Sequence, residues 1–208
     1  MAGTLIPTLE FEESAWSEGY AWVIGADEVG VGSWAGPVAA AAVALPSRAW
    51  FAWMERVRDS KVLAPARREE LAEEIAASVP TAVGWASPEE VDRQGLTAAR
   101  RLAVLRAVEQ LGLPRTRVIS DALSLPLPDV VALVDADARC VSVAAASVVA
   151  KVARDALMRE LCALYPGYAF CRNKGYGTPE HRRALRRRGP SPVHRRSYLP
   201  VAQLLLPW

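Results

Sequence analysis

Short apolar segments alternate along this chain with segments of helical periodicity. The apolar segments have the length and composition of buried strands, and they cover residues 21–28, 36–45, 81–86, 116–121 and 130–135. Helical patterns cover residues 65–78, 97–111, 142–165 and 178–188. This alternation predicts an α/β domain in which helices cover a central sheet. A Gly-rich turn between the first two strands predicts that they form a hairpin.

Local signals refine the helical segments. One apolar stripe of the helix at 97–111 is predicted to face the core, and it consists of Ala98, Leu102, Leu105 and Val108. Ser87 and Glu90 have the spacing of a capping box. Thr178 and Gly189 have the residue types that begin and end the last helix.

Length and composition predict one domain. The 208 residues are 51% hydrophobic and 23% charged, which supplies one buried core and excludes a mainly disordered chain. We expect a single domain over residues 1–208, with a core at roughly 20–164 and a basic C-terminal portion at roughly 165–208. The longest apolar stretch is shorter than the ~20 residues that span a bilayer, and no secretory signal is visible. We therefore expect a cytoplasmic protein, and we infer a monomer with no obligate protein partner.

Charge is distributed unevenly along the chain. Residues 151–208 contain 12 Lys and Arg against 3 Asp and Glu, so the first 150 residues have a net charge of −7. A basic end on an acidic body is typical of a protein that binds a polyanion at one place and uses carboxylates at another. The alternative is an Arg-rich helix that is only a solvated face.

Acidic residues stand at or just after the ends of three predicted strands: Asp27, Glu28, Asp121 and Asp137. If these strands are neighbours, their ends gather like charges at one edge of the sheet, which cations must neutralise. Oxygen ligands alone favour Mg²⁺ or Mn²⁺ over zinc. The alternative is a set of solvated turn residues.

Glycines surround the first pair of acids. Consecutive strand side chains point to opposite faces, so Asp27 and Glu28 converge only if the chain turns there. The segment Gly30-Val31-Gly32 permits such a turn. It also allows the backbone to come close to another molecule, although a tight turn between strands needs the same residues.

These segments together resemble the ribonuclease HII family. The resemblance lies in IGADEVGVGSWAGPVAAAAV (24–43), DSKVLAPARREEL (59–71), VISDA (118–122), DADARCVSVAAASVVAKVARDALM (135–158), YPGYAFCRNKGYGTPEH (165–181) and GPSPVHRRSY (189–198). It implies an RNase H-like fold, with a mixed sheet of about five strands flanked by helices and a small helical, basic C-terminal portion. It also implies hydrolysis of RNA paired to DNA, and cleavage at single ribonucleotides in duplex DNA.

The resemblance also implies roles for individual residues. The metal-binding, catalytic carboxylates fall on Asp27, Glu28, Asp121 and Asp137, and two divalent ions would promote hydrolysis. Asp135 is an extra acid, interpreted as a solvated turn residue. Substrate contacts fall on Gly30, Val31, Gly32, Lys61, Ser147, Lys151, Lys174 and Tyr176. Arg154 shares a helix face with Ser147 and Lys151 and is a further candidate for phosphate contact.

One departure from the family leaves alternatives open. Val31 stands where arginine is usual, so a side-chain contact to phosphate is lost while backbone contacts remain. A hybrid-binding protein with weakened catalysis is therefore a second interpretation. Another RNase H-like nuclease, acting on branched DNA, is a third, against which the KGYGT and AAASVVAK segments argue.

Overall fold

A mixed five-stranded sheet forms the centre of the structure, a computed structural model that describes residues 6–205. The strands are β1 (Trp22–Val29), β2 (Val38–Pro46), β3 (Thr81–Ala86), β4 (Thr116–Asp121) and β5 (Val130–Leu133). Their order in the sheet is β3-β2-β1-β4-β5. β2 is antiparallel to β1 and β3, whereas β4 is parallel to β1 and β5. The predicted mixed sheet and its opening hairpin are confirmed.

Helices cover both faces of this sheet. The helices are α1 (Glu10–Ser17), α2 (Pro65–Ser78), α3 (Pro88–Gln94), α4 (Leu96–Leu111), α5 (Ala136–Arg139), α6 (Val141–Leu164), α7 (Phe170–Asn173), α8 (Pro179–Arg188) and α9 (Leu199–Ala202). A 3₁₀ turn covers Ala52–Glu55. The four predicted helices agree with α2, α4, α6 and α8 to within one residue at each end. Three of the others, α5, α7 and α9, have four residues each, too few to show a helical period.

β2 lies between two helical layers, which explains its alanine-rich sequence. Every residue from Val38 to Leu45 is buried. Ala41, Val43 and Leu45 face the layer of α2 and α6, and the alternate residues of β2 face the layer of α4. A strand that is covered on both faces has no solvent side, so polar residues are absent from it.

The core face of α4 differs from the prediction. The buried residues of α4 are Ala99, Ala103, Val104 and Ala107, and the predicted stripe lies beside this face, only partly buried. The reason is close helix–sheet contact at Gly84, where an added Cβ would lie 2.1 Å from the carbonyl oxygen of Ala103. Only small side chains fit between a helix and a strand that lie so close together. The prediction from hydrophobicity chose the Leu-containing stripe and was therefore wrong about the face that is buried.

The C-terminal portion packs against the turn that follows β1. Its core contains Tyr168, Phe170 and Leu185, in contact with Ala35 and Met158. Thr178 caps α8 by accepting a hydrogen bond from the His181 N–H, as its residue type predicted. Within residues 6–205, no helix combines the length and apolar character that crossing a bilayer requires.

Candidate active site

Three structural elements bring Asp27, Asp121 and Asp137 to one edge of the sheet. The turn that Asp27 and Glu28 would need to converge is absent, because β1 continues to Val29, and Glu28 lies on the opposite face from Asp27, towards α4. β1 and β4 are parallel neighbours, and their register pairs Ala26 with Ser120. Asp27 and Asp121 therefore follow at equivalent positions of adjacent strands. Asp137 lies in α5, directly after β5, which pairs with β4. Asp135 precedes α5 in an exposed left-handed conformation, in agreement with its interpretation as a turn residue.

Burial and mutual repulsion perturb these acids. Burial raises the pKa of Asp27 well above its ordinary value, and the negative charges of Glu28, Asp137 and Asp121 raise it further. Burial also raises the pKa of Asp137, with a contribution from the charge of Asp59. Such acids ionise readily only when a cation is near.

Two cationic side chains of the protein approach this edge. Arg100 Nε donates to Glu28 Oε1 at 2.8 Å, yet burial still raises the pKa of Glu28. Lys61 Nζ lies 3.2 Å from Asp137 Oδ2. Asp27 and Asp121 accept hydrogen bonds from backbone N–H groups, those of Glu28 and Ala136 respectively. Four carboxylates thus share two side-chain cations.

The donor set suits a hard divalent cation. All four side chains offer oxygen, the ligand atom that Mg²⁺ and Mn²⁺ prefer. In the part of the chain that the structure describes, no three His, Cys, Asp or Glu side chains form a ready-made metal site.

Lys61 belongs to a loop that Ser147 supports. The Ser60 N–H donates to Ser147 Oγ at 3.2 Å, and that hydroxyl donates to Ala144 O at 3.0 Å. Ser147 is only 2% exposed, so its side chain holds the loop from beneath and leaves no surface for substrate. The Lys61 side chain itself is 77% exposed, and its ammonium group is paired with Asp137 and Asp59.

The Gly30–Gly32 turn and the loop that contains Tyr176 lie side by side. Trp34 N donates to Gly175 O at 2.8 Å. An added Cβ on Gly175 would lie 2.2 Å from Ala35 O, so glycine is required for this approach. Tyr176 is 36% exposed, and the guanidinium of Arg154 lies 5.6 Å from the centre of its ring.

The other predicted contact residues differ in exposure. Lys151 Nζ is paired with Asp155 at 2.7 Å. Lys174 Nζ donates to Cys171 O at 2.7 Å and remains partly exposed. Arg154, in contrast, is fully buried and cannot contact a duplex; helical spacing put it on a polar face that the C-terminal portion covers. The arginines Arg182, Arg183, Arg186 and Arg187 of α8 are exposed.

Comparison with known proteins decides the family. The family model described as ribonuclease HII matches residues 24–201. The chain belongs to the ribonuclease HII family. A Thermus thermophilus ribonuclease HII is 46% identical over 92% of this chain and 93% of its own length. One from Dehalococcoides mccartyi is 41% identical over 98% of both chains.

The fold agrees with that membership. The ribonuclease H2 structure from Pyrococcus horikoshii matches with a TM-score of 0.73 and 24% identity, over 88% of this chain and 96% of its own. This match shows the RNase H-like fold, and family membership makes the protein a ribonuclease H enzyme. Arg100 is the residue at this ribonuclease HII site that sequence reasoning missed, since nothing near it in the chain connects it with Glu28.

Proposed function

We propose that this enzyme is a metal-dependent endoribonuclease that cleaves the RNA strand of RNA/DNA hybrids and single ribonucleotides in duplex DNA. The observation that carries the proposal is the crowding of carboxylates at the sheet edge, where burial and the negative charges of Glu28, Asp137 and Asp121 raise the pKa of Asp27 well above its ordinary value. A buried acid that is surrounded by like charges gains most from a bound cation. Membership of the ribonuclease HII family supports the substrate class.

Asp27, Glu28, Asp121 and Asp137 would hold two Mg²⁺ or Mn²⁺ ions. Bound there, the ions supply an activated water as nucleophile and stabilise the charge that develops on the phosphate. Backbone N–H groups orient Asp27 and Asp121, and Arg100 orients Glu28. These bonds fix the ligand oxygens before substrate arrives.

Lys61 has a second part in the proposal. Its ammonium group is held beside Asp137 in the absence of substrate. With Asp137 engaged as a metal ligand, the Lys61 ammonium group would be available to contact a phosphate, which an exposed and flexible side chain can reach. Lys151 and Lys174 would contact the duplex backbone further from the reacting phosphate.

Selection of ribose would occur at the Gly30–Gly32 turn. The 2′-hydroxyl distinguishes RNA from DNA, and it both donates and accepts hydrogen bonds. Backbone groups of a glycine turn can approach it closely because no Cβ intervenes. Tyr176 would pack on the sugar at the junction, next to this turn.

The test is a cleavage assay on matched duplexes. The substrates carry one ribonucleotide, four ribonucleotides or none, and Mg²⁺ and Mn²⁺ are supplied separately. We expect cleavage of both ribonucleotide substrates and none of the all-DNA duplex. Asp121→Asn should lower the rate by roughly 10³ or more, since it removes a charged ligand. Equal cleavage of DNA, or cleavage without added metal, would refute the proposal.

Asp129→Asn is the matched control. Asp129 directly precedes β5, at the opposite end of the β4–β5 pair from Asp121, and it is exposed and accepts a hydrogen bond from Tyr20 OH. The Asn side chain keeps that bond and tolerates the left-handed backbone of this residue. We expect wild-type activity from this variant, so loss of activity in Asp121→Asn alone identifies a functional carboxylate.

A further inference from the structure

Among residues 6–205, two arginines are fully buried and form no ion pair with an acidic side chain. Arg154 and Arg195 are both 0% exposed. Neither guanidinium forms a salt bridge with any residue in the range 6–205. Burial lowers the pKa of both, that of Arg154 to about 10. Burial of a cation without an acidic partner costs free energy. Hydrogen bonds from the guanidinium to other acceptors must offset that cost.

Arg195 donates mainly to carbonyls of the glycine turn. Its Nη2 donates to Gly30 O at 2.7 Å and its Nη1 to Val31 O at 2.8 Å. Its Nε donates to Gly36 O at 3.0 Å. The hydroxyl of Tyr198 also donates to Val31 O, at 2.6 Å, and accepts from Arg195 Nη1 at 2.9 Å. Two side chains of the C-terminal portion thus hold the turn.

Arg154 supports the same turn from α6. Its Nε donates to Pro37 O at 3.0 Å, and its Nη2 donates to Ser33 Oγ at 2.6 Å. That hydroxyl in turn donates to Gly30 O at 2.7 Å. Arg154 Nη1 donates to Lys174 O at 3.0 Å, on the loop that contains Tyr176. The same guanidinium therefore joins the two loops.

These bonds determine where the N–H groups of the turn point. In a trans peptide, the N–H of one residue points opposite to the C=O of the residue before it. Since the Gly30 and Val31 carbonyls point inward, the N–H groups of Val31 and Gly32 point outward. Neither N–H has an acceptor among the described residues. An added Cβ on Gly32 would meet nothing within 4 Å, so the space beside the Gly32 Cα is open.

We infer that Arg195, Tyr198 and Arg154 are positioning residues for ribose recognition. They fix the carbonyls of Gly30 and Val31 inward, and the two outward N–H groups are thereby presented to substrate before it binds. Preorganisation of this kind lowers the entropy lost on binding. The inference rests on the proposed function of the same turn, and it assigns that role to residues that do not touch substrate.

A purely structural role is the competing explanation. Arg195 also ties the C-terminal portion to the sheet, so its replacement would remove several hydrogen bonds and reduce stability. Tyr198→Phe avoids this problem because it removes only one hydroxyl. Its control is Tyr168→Phe, which removes a hydroxyl that donates to Gly189 O at 2.7 Å within the same core. Both variants lose one bond to a backbone carbonyl, but only Tyr198 bonds to the turn.

The kinetic test compares these variants on the duplex with one ribonucleotide. We expect both to fold with modestly lower thermal stability, with the larger loss in Tyr198→Phe because the Tyr198 hydroxyl also accepts from Arg195. Tyr198→Phe alone should lower kcat/KM, by about 3- to 10-fold, the effect of one buried hydrogen bond. Equal kcat/KM for the two variants would overturn the inference while leaving the proposed function intact.

A second measurement does not depend on activity. Backbone ¹⁵N relaxation reports the order parameters of the Val31 and Gly32 N–H groups, which are about 0.85 in rigid backbone. We expect rigid values in the wild type and in Tyr168→Phe, and lower values in Tyr198→Phe. A turn that is equally rigid in all three would overturn the inference, even if the protein cleaved no ribonucleotide substrate.

Discussion

The Nε2 atoms of His181 and His194 lie 3.0 Å apart inside the C-terminal portion. His181 Nδ1 lies 2.9 Å from Tyr176 O, a pure acceptor, so this nitrogen carries a proton and Nε2 is an acceptor. His194 must then donate from Nε2, and its Nδ1 accepts from the Ser191 N–H at 2.9 Å. A continuous chain of hydrogen bonds thus fixes both rings as neutral tautomers and ends on the backbone of Tyr176.

This histidine pair predicts a loss of stability at mildly acidic pH. Burial lowers the pKa of His194 from 6.5 to about 4, and burial also lowers that of His181. The unfolded state therefore binds more protons below pH 6.5, and stability is lost as the pH falls from there towards 4. For His194 we expect a loss of about 2 kcal/mol between pH 7 and 5. Urea unfolding at both values measures it.

His194→Phe isolates this contribution. The aromatic ring suits a site that is lined by Tyr168 and Phe170, so the variant should fold, with lower stability at pH 7. Its stability should fall less than that of the wild type between pH 7 and 5. An unchanged pH dependence would assign the acid sensitivity to other groups.

Asp27→Asn should separate metal binding from folding. Removing a buried, repelled carboxylate should leave the metal-free protein at least as stable as the wild type. At 100 times the dissociation constant, a bound cation stabilises a protein by about 2.7 kcal/mol. We expect Mn²⁺ to raise the melting temperature of the wild type clearly and that of Asp27→Asn much less. Equal increases would exclude Asp27 as a ligand.

Two glycines of the turn should respond differently to alanine. Gly30 has φ +85°, and an added Cβ would lie 2.0 Å from Arg154 Nε. We expect Gly30→Ala to lose about 2 kcal/mol or more of stability. Gly32→Ala has open space around its Cβ and should remain within about 1 kcal/mol of the wild type, with a higher KM. Calorimetry and cleavage kinetics on both variants test this contrast.

The exposed arginines of α8 should contribute affinity that depends on salt. Replacing Arg182, Arg183, Arg186 and Arg187 with glutamine removes four positive charges from one exposed face. Each real phosphate contact that is lost should reduce the slope of log K against log salt by roughly 0.9. Fluorescence anisotropy at several salt concentrations measures the slope. An unchanged slope would show that these four arginines are solvated and do not contact phosphate.

Val31→Arg tests the departure from the family pattern. Val31 is partly exposed, beside the open space at Gly32. We expect the arginine to gain a phosphate contact of about 1.5 to 3 kcal/mol, with unchanged discrimination between ribose and deoxyribose. Binding and cleavage of the one-ribonucleotide and all-DNA duplexes measure the two quantities. Reduced activity would show that Val31 belongs to a differently shaped site.

Local patterns predicted much of the fold. The strands, the four long helices and the cap at Thr178 depend on neighbours within a few residues, and the sequence displays those directly. The core face of α4 was predicted wrongly, because the spacing between a helix and Gly84 depends on backbone contact rather than on hydrophobicity.

The sequence by itself determined where acids and glycines fall relative to the strands, because strand ends and turns are local features. Only the tertiary structure decided which distant groups the buried and partly buried arginines bond to. Arg100 meets Glu28 across 72 residues of chain, and Arg195 meets Gly30 across 165. Tertiary packing also buries Arg154 and Ser147, which helical spacing had placed on an exposed face. Burial and long-range pairing depend on how the sheet and the C-terminal portion pack, and no local pattern encodes that packing.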